Sequence, residues 1–302
     1  MARVSFAAVK RVGIALGWLL LFAAIAIGVT IGLSEIVPGW GGPRWWIART
    51  GAWTAIGFGL ATLVVGRLLN KYAWEGMGWT RAAGLALARG TAIGAVMAAV
   101  AIGLAVLFGA RLRFTSEGSI WAGVAVPLIL GLGFAALGEE LGFRGYPMRR
   151  LSDAIGVLPA TLLLAALFGL AHVGNPNATV FSTINVALAA IWLTIAFFSS
   201  GGMGLAWGAH FGWNAGLAIL FDAPVSGYAF AVPVVEYVPG TRAWIDGGAF
   251  GPEGGVVTTV ALLVGTLYLL TRPSAFSRQP PIESDSVPPS PEGRGGQGVR
   301  TA

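Results

Sequence analysis

The sequence lacks cysteine and is poor in charged residues and in histidine. None of its 302 residues is a cysteine, only 11% are Asp, Glu, Lys or Arg, and two are His. The absence of cysteine excludes disulfide bonds and thiol catalysis. Soluble domains are normally about a quarter charged, so this chain has too few charges to cover the surface of a water-soluble protein of its length. It also contains no His-Glu-x-x-His segment, so the ordinary zinc-protease signature is excluded.

What the sequence does contain is apolar residues, which make up 56% of the chain and occur in long blocks. We predict an all-α fold, a polytopic bundle of about eight transmembrane helices, because each block is about long enough to cross some 30 Å of hydrocarbon as a helix. The third, fifth and seventh blocks are rich in Gly and Ala, which allow membrane helices to pack closely. The predicted spans are Val12–Leu33, Thr50–Gly66, Thr91–Ala110, Ile120–Leu141, Val157–Val173, Thr179–Phe198, Met203–Phe221 and Val256–Thr271.

The distribution of Lys and Arg predicts which side of the membrane each loop occupies. Most basic residues lie on segments that share one side if the N-terminus is inside, which is the pattern of the positive-inside rule. We therefore predict a multi-pass protein of the cell membrane with both termini cytoplasmic. The net charge of +6 is scattered and carries no nucleic-acid-reading motif, so it indicates contact with anionic lipid rather than with nucleic acid.

The chain divides into a membrane domain and a tail. Residues 1–271 contain all the predicted spans, and we expect residues 272–302 to be a disordered cytoplasmic tail. The tail is rich in Pro and Gly and low in hydrophobicity, so it cannot bury enough apolar surface to offset the entropy of ordering. The longest predicted outer loop, Asp222–Gly255, is acidic instead and holds Asp222, Glu236, Asp246 and Glu253.

Three short polar segments occur inside predicted spans, where a charged group costs about 2.5–3.5 kcal/mol on insertion scales. They include both histidines of the chain, which makes coincidence an unlikely explanation. The segments are Glu139-Glu140-Leu-Gly-Phe-Arg144 in span four, Phe168-Gly-Leu-Ala-His172 in span five and His210-Phe-Gly-Trp-Asn214 in span seven.

Helix geometry gives the two glutamates different predicted environments. Residues four apart lie on one helix face, so Glu140 and Arg144 are predicted to form an ion pair. Glu139 projects about 100° away from Glu140, since a helix has 3.6 residues per turn, and is left free to react. The same spacing places the side chains of His210 and Asn214 together on one face.

A free carboxylate, two imidazoles and an amide in a low-dielectric pocket suit attack by water on a peptide bond. A desolvated carboxylate can act as a general base, and His or Asn side chains can donate hydrogen bonds to a developing oxyanion. The alternative is that Glu139, His172 and His210 bind a divalent metal such as zinc, whose bound water would be the nucleophile. The predicted boundaries place Glu139 near the inner end of span four and His172 near the outer end of span five, so tilted, broken or shifted helices are needed to bring them together.

The three segments resemble the EExxxR, FxxxH and HxxxN motifs of the CAAX-processing and bacteriocin-processing peptidases, a family of intramembrane proteases. The resemblance covers about Ile120–Phe221, which is four of the eight predicted spans. It implies a helical membrane fold with a hydrated cavity. Family members are commonly regarded as metallopeptidases, although a metal-independent glutamate mechanism is also argued, and the sequence fits either.

The resemblance also implies roles for individual residues. Glu139 would be the general base, and His172 would act with it on the water. His210 and Asn214 would form the oxyanion hole, while the site would be supported by Glu140, Arg144 and Phe168.

Our leading hypothesis is an intramembrane endopeptidase that cleaves a peptide or protein substrate at the membrane. Two alternatives remain open. The chain could be a non-catalytic immunity or scaffold protein that keeps the polar cluster for packing, or a transporter or proton relay, since buried Glu and His also mark ion paths.

Overall fold

The computed structural model describes residues 6–271 except 38, 40, 41, 43, 44, 115–120 and 233. The predicted disordered tail, 272–302, lies outside the described residues, and the division into two parts stays a prediction. The α-helices of the described part are α1 (Phe6–Ile36), α2 (Trp46–Ala61), α3 (Ala83–Leu107), α4 (Trp121–Phe143), α5 (Tyr146–Ile155), α6 (Val157–Ala171), α7 (Val180–Phe198), α8 (Gly202–Ala215), α9 (Ala243–Asp246) and α10 (Val256–Leu270). Two of these helices continue as π-helical turns, α2 through Thr62–Leu69 and α8 through Gly216–Leu220.

The described part of the chain contains five helical segments that are long and apolar enough to cross a membrane. They are Phe6–Ile36, Trp46–Leu69, Ala83–Leu107, Gly123–Ile155 and Val180–Phe198. Helices α6 and α10 are apolar but shorter. Helix α8 has 14 residues, and its π-helical turn adds five. Each of the eight predicted spans therefore overlaps a helix, while the number of spans and the orientation of the termini stay predictions.

The fold is all-helical, as predicted, apart from one small antiparallel sheet in the described part of the chain. Strand β1 (Arg111–Phe114) follows α3, and β2 (Val235–Val238) lies in the segment between α8 and α10. Both sequences alternate or are rich in β-branched and aromatic residues, which favours strands over helix. Their pairing places the end of α3 and the 222–255 loop on the same side of the bundle, as the predicted spans require.

Helices α3 and α8 pack with their backbones almost in contact. A Cβ atom added at Gly94 would lie 2.1 Å from the carbonyl oxygen of Ala209, and one at Gly208 would lie 2.2 Å from that of Leu87. Gly212 meets the carbonyl of Thr91 in the same way. Close packing through small residues is typical of membrane helices, and it confirms the expectation for the third and seventh spans.

The largest hydrophobic cluster of the described residues contains side chains of α3, α4, α7, α8 and α10. Two of these helices, α4 and α8, carry Glu139, Glu140, His210 and Asn214. The glycine face of α8 fixes that helix against α3. His210 lies two residues from both Gly208 and Gly212, so its side chain projects about 160–200° away from the glycine face. The packing of α8 therefore turns His210 away from α3 and towards α4, with which α8 is also in contact.

Candidate active site

The ion pair predicted between Glu140 and Arg144 is present at the end of α4. Arg144 Nη1 donates to Glu140 Oε1 at 3.1 Å, and the two side chains are 1% and 0% exposed. Arg144 Nη2 also donates to the carbonyl oxygen of Ala190 on α7, at 3.1 Å. The charge of Glu140 is therefore neutralised within the protein, and Arg144 ties α4 to α7.

His210 on α8 lies between the two neighbouring glutamates of α4. Its Nδ1 is 2.9 Å from Glu140 Oε1, and its Nε2 is 3.7 Å from Glu139 Oε2. Because Glu140 is held as a carboxylate by Arg144, it accepts a hydrogen bond, and His210 Nδ1 carries the proton that is donated. His210 Nε2 is thereby directed at Glu139, whose side chain is 32% exposed and makes no pair with Arg144.

The second motif begins with Phe168 of α6, whose side chain is buried beside the side chains of the other two motifs. The Arg144 guanidinium carbon lies 4.6 Å from the centre of its ring, within the range of a cation–π interaction. The His172 ring is 4.8 Å from the Phe168 ring and the His210 ring is 6.1 Å from it. Phe168 thus contacts residues of all three motifs and separates the ion pair from His172.

The tautomer of His172 is fixed by its own helix. His172 ends α6, and its Nδ1 lies 2.7 Å from the carbonyl oxygen of Phe168. A carbonyl oxygen only accepts, so Nδ1 carries a proton, and in the neutral ring Nε2 is the hydrogen-bond acceptor.

The structure links Glu139 to His172 through His210, which lies close to Glu139 Oε2 and lines a small cavity with His172. Helix α4 ends at Phe143, two residues beyond the predicted boundary at Leu141, and α5 begins at Tyr146 after the non-helical Gly145. The chain then turns at Gly156, which has a positive φ of 88°, and α6 leads to His172.

A small cavity connects the motifs of α6 and α8. Its volume is about 30 Å³, which is enough to hold a water molecule. Its walls include His172, His210 and Asn214, while Glu139 lies on the Nε2 side of the His210 ring rather than in the cavity wall. The structure therefore brings the four predicted catalytic side chains together around His210 and this cavity.

Two further cavity residues, Ser226 and Glu253, come from the outer loop and were not identified as site residues from the sequence. The loop therefore covers the site, a point that the sequence left open. Glu253 is separated from Asn214 by 39 residues and belongs to no recognised motif. The only signal around it is the Gly-Pro-Glu-Gly-Gly setting, whose glycines permit a tight turn.

The nominated metal ligands do not form a metal site in this structure. Structural and catalytic zinc sites use at least three protein ligands. Within the residues that the structure describes, no three His, Asp or Glu side chains lie close enough together to hold a metal ion. Glu139, His172 and His210 therefore do not fit a bound zinc ion in this arrangement.

The fold and the site together define a helical membrane protein with a buried glutamate–histidine centre. Residues 121–216, about a third of the chain, match the family profile described as type II CAAX prenyl endopeptidase Rce1-like. This match confirms the predicted resemblance to the CAAX-processing peptidases, and the matched segment contains all three motifs. No curated protein matches the chain at the level of whole-sequence comparison.

Proposed function

We propose that the chain is an intramembrane endopeptidase that hydrolyses a peptide bond of a membrane-associated protein or peptide. The observation that carries the proposal is the contact between Glu139 and His210 beside a water-sized cavity that His172 and Asn214 also line. The family match supports the reaction class.

The charges of the site suggest where its mobile proton resides. Glu139 and Glu140 contribute two negative charges and Arg144 one positive charge, so one additional proton makes the cluster neutral. A neutral cluster is favoured because uncompensated charge is costly to bury. With His210 Nδ1–H held by Glu140, this proton is placed between His210 Nε2 and Glu139 Oε2. When it resides on His210, Glu139 is a free base and His210 is a donor.

In the first step, Glu139 takes a proton from a water molecule as the water oxygen bonds to the peptide carbonyl carbon. The carbonyl oxygen becomes negative and is stabilised by hydrogen bonds from His210 Nε2–H and the Asn214 amide. Asn214 is suited to this role because its side chain makes no hydrogen bond to any other described residue. His172 Nε2 accepts the second proton of the water as a hydrogen bond and so orients its attack.

In the second step, Glu139 returns its proton to the peptide nitrogen, the carbon–nitrogen bond breaks, and an amine and a carboxylic acid are formed. Glu140, Arg144 and Phe168 hold the ring of His210 in place throughout. The substrate peptide is expected to enter the site from the membrane, since Glu139 lies on the segment Gly123–Ile155, which is long and apolar enough to span it.

The test is cleavage of candidate peptides, both prenylated and unprenylated, by purified protein in liposomes. Glu139→Gln keeps the shape of the side chain and removes the base, so we expect a loss of about 10²–10⁴-fold in kcat. His172→Ala is expected to lower the rate as well. Glu236→Gln is the matched control, because Glu236 is exposed and remote in sequence from the motifs. Cleavage by Glu139→Gln and His172→Ala at the parent rate would refute the assigned roles.

The role of metal is decided in the same assay. The carboxylate mechanism predicts cleavage that is unchanged by prolonged chelation. Loss of activity on chelation, with recovery on addition of zinc, would instead support the metal-dependent alternative for Glu139, His172 and His210.

A further inference from the structure

The outer loop, residues 222–255, is attached to the bundle through a buried carboxylate. Glu253 is 7% exposed, and its Oε1 accepts a hydrogen bond from Trp213 Nε1 at 2.9 Å. Its Oε2 accepts from the Ser226 hydroxyl at 3.0 Å and from the Ser226 backbone N–H. No basic side chain pairs with Glu253 in the described part of the chain, so these three donors alone compensate its charge.

The main chain around Glu253 is held from the opposite side by α7. Asn185 Nδ2 donates to the carbonyl oxygens of Glu253 and Gly255, both at 2.9 Å. The Asn185 side chain is itself fixed, because Thr259 Oγ1 donates to its Oδ1 at 2.7 Å. Phe250 of the loop packs in one cluster with Val186 and Phe168. Residue 253 is therefore the point at which the loop, α7 and α8 are joined.

This junction lies directly beside the candidate site. Trp213 precedes Asn214 on α8, and both line the cavity together with Ser226 and Glu253. A buried carboxylate without a cation is costly unless its hydrogen bonds are satisfied. An apolar residue would fill the same space without that cost, so the carboxylate is best explained by the three donors that it holds in place.

We propose that Glu253 is a positioning residue that fastens the outer loop over the cavity of His172, His210 and Asn214. The fastened loop forms the wall between this cavity and the water outside. The catalytic consequence of closure rests on the proposed peptidase function, whereas closure itself is a property of the fold and can be measured without any substrate.

The absence of native cysteine allows closure to be measured by thiol labelling. Val186 lines the cavity and is buried beneath Phe250, so Val186→Cys places the only thiol of the chain under the loop. In this background Glu253→Gln removes one of the two carboxylate acceptors. We expect labelling by a water-soluble methanethiosulfonate reagent to accelerate by about tenfold or more, the equivalent of one lost hydrogen bond to a charged group.

Two further variants distinguish loss of the hydrogen bonds to Glu253 from general loss of folding. Trp213→Phe removes the α8 donor together with part of a buried ring, whereas Ser226→Ala removes only the hydroxyl donor. Each is expected to accelerate labelling while the protein stays monodisperse. Glu236→Gln is the control for charge in the same loop, and its labelling rate is expected to match that of Val186→Cys alone. If Glu253→Gln does not fold, Ser226→Ala decides the question.

Equal labelling of Val186→Cys with and without these changes would overturn the proposal. A protein that cleaves no peptide yet shows accelerated labelling in Glu253→Gln would support the role of Glu253 in closing the loop and refute the peptidase function. In an active protein, the positioning role of Glu253 further predicts that Glu253→Gln lowers kcat while Glu236→Gln leaves kcat and KM unchanged.

Discussion

Replacement of Arg144 by Ala tests whether the network at the centre of the site holds the fold together. The change removes the partner of Glu140, the donor to the Ala190 carbonyl and the cation above the Phe168 ring. Glu140 would then keep only His210 as a partner while remaining in a buried position. The Ala190 carbonyl is less affected, because Thr194 Oγ1 also donates to it at 2.8 Å.

The expected magnitude follows from the burial of the pair. Loss of one partner of a buried ion pair costs about 3–5 kcal/mol, because the other charge is left uncompensated. The lost contact with Phe168 adds about 0.5–2 kcal/mol. The total is about 3.5–7 kcal/mol, which at about 2–4 °C per kcal/mol for chains of 150–250 residues lowers the melting temperature by roughly 7–28 °C.

Thermal unfolding in detergent can be followed through the 12 tryptophans of the chain, since thiol-reactive dyes have no cysteine to bind. The double variant Glu140→Gln with Arg144→Met should lose less stability than Arg144→Ala, because neither charge is left unpaired. Arg113→Ala breaks an ion pair whose side chains are 65% and 43% exposed, and it should change the melting temperature little. A melting temperature for Arg144→Ala equal to that of Arg113→Ala would refute the assigned role of the buried pair.

Two other predictions concern the packing of α8 and the titration of the outer loop. Gly208→Ala should destabilise the protein by about 1–3 kcal/mol because its Cβ would collide with the Leu87 carbonyl. Gly103→Ala is the control and should leave the stability unchanged, because a Cβ there has open space. Equal melting temperatures for the two variants would contradict the α3–α8 contact. Burial raises the pKa of the Asp222 carboxyl above its ordinary value, although the hydrogen bond from the Val232 N–H opposes the shift. The folded state therefore binds the proton more tightly than the unfolded state, and this contribution to stability is lost as pH rises through the folded pKa. The difference in melting temperature between Asp222→Asn and the parent should be more positive at pH 7 than at pH 4, and a difference independent of pH would contradict this.

Much of the fold could be predicted because membrane insertion is a local property of the sequence. Each predicted span overlaps a helix, since twenty apolar residues in succession leave few alternatives. The boundaries were less accurate where amphipathic segments extend a helix beyond its apolar part. Helix α3 begins at Ala83 rather than Thr91, and a separate amphipathic helix, α5, follows the fourth predicted span. The short β-sheet was not predicted because its strands are separated by more than a hundred residues.

The ion pair and the candidate side chains of the site were available from the sequence for a similar reason. Glu140 and Arg144 are four residues apart on one helix, so their pairing needs no knowledge of other helices. Two other contacts could not be predicted from the sequence because they join distant positions. His210 and Glu140 are 70 residues apart, and Glu253 and Trp213 are 40 residues apart.

The sequence alone determined that this chain belongs in a membrane and which few polar residues had to be explained there, because hydropathy and helical spacing act over short distances. The tertiary structure decided that His210 lies between Glu139 and Glu140, that His172 and His210 line one cavity, and that the outer loop covers that cavity. Those contacts depend on how closely the helices approach, and the glycines between α3 and α8 set that approach only once both helices are packed together.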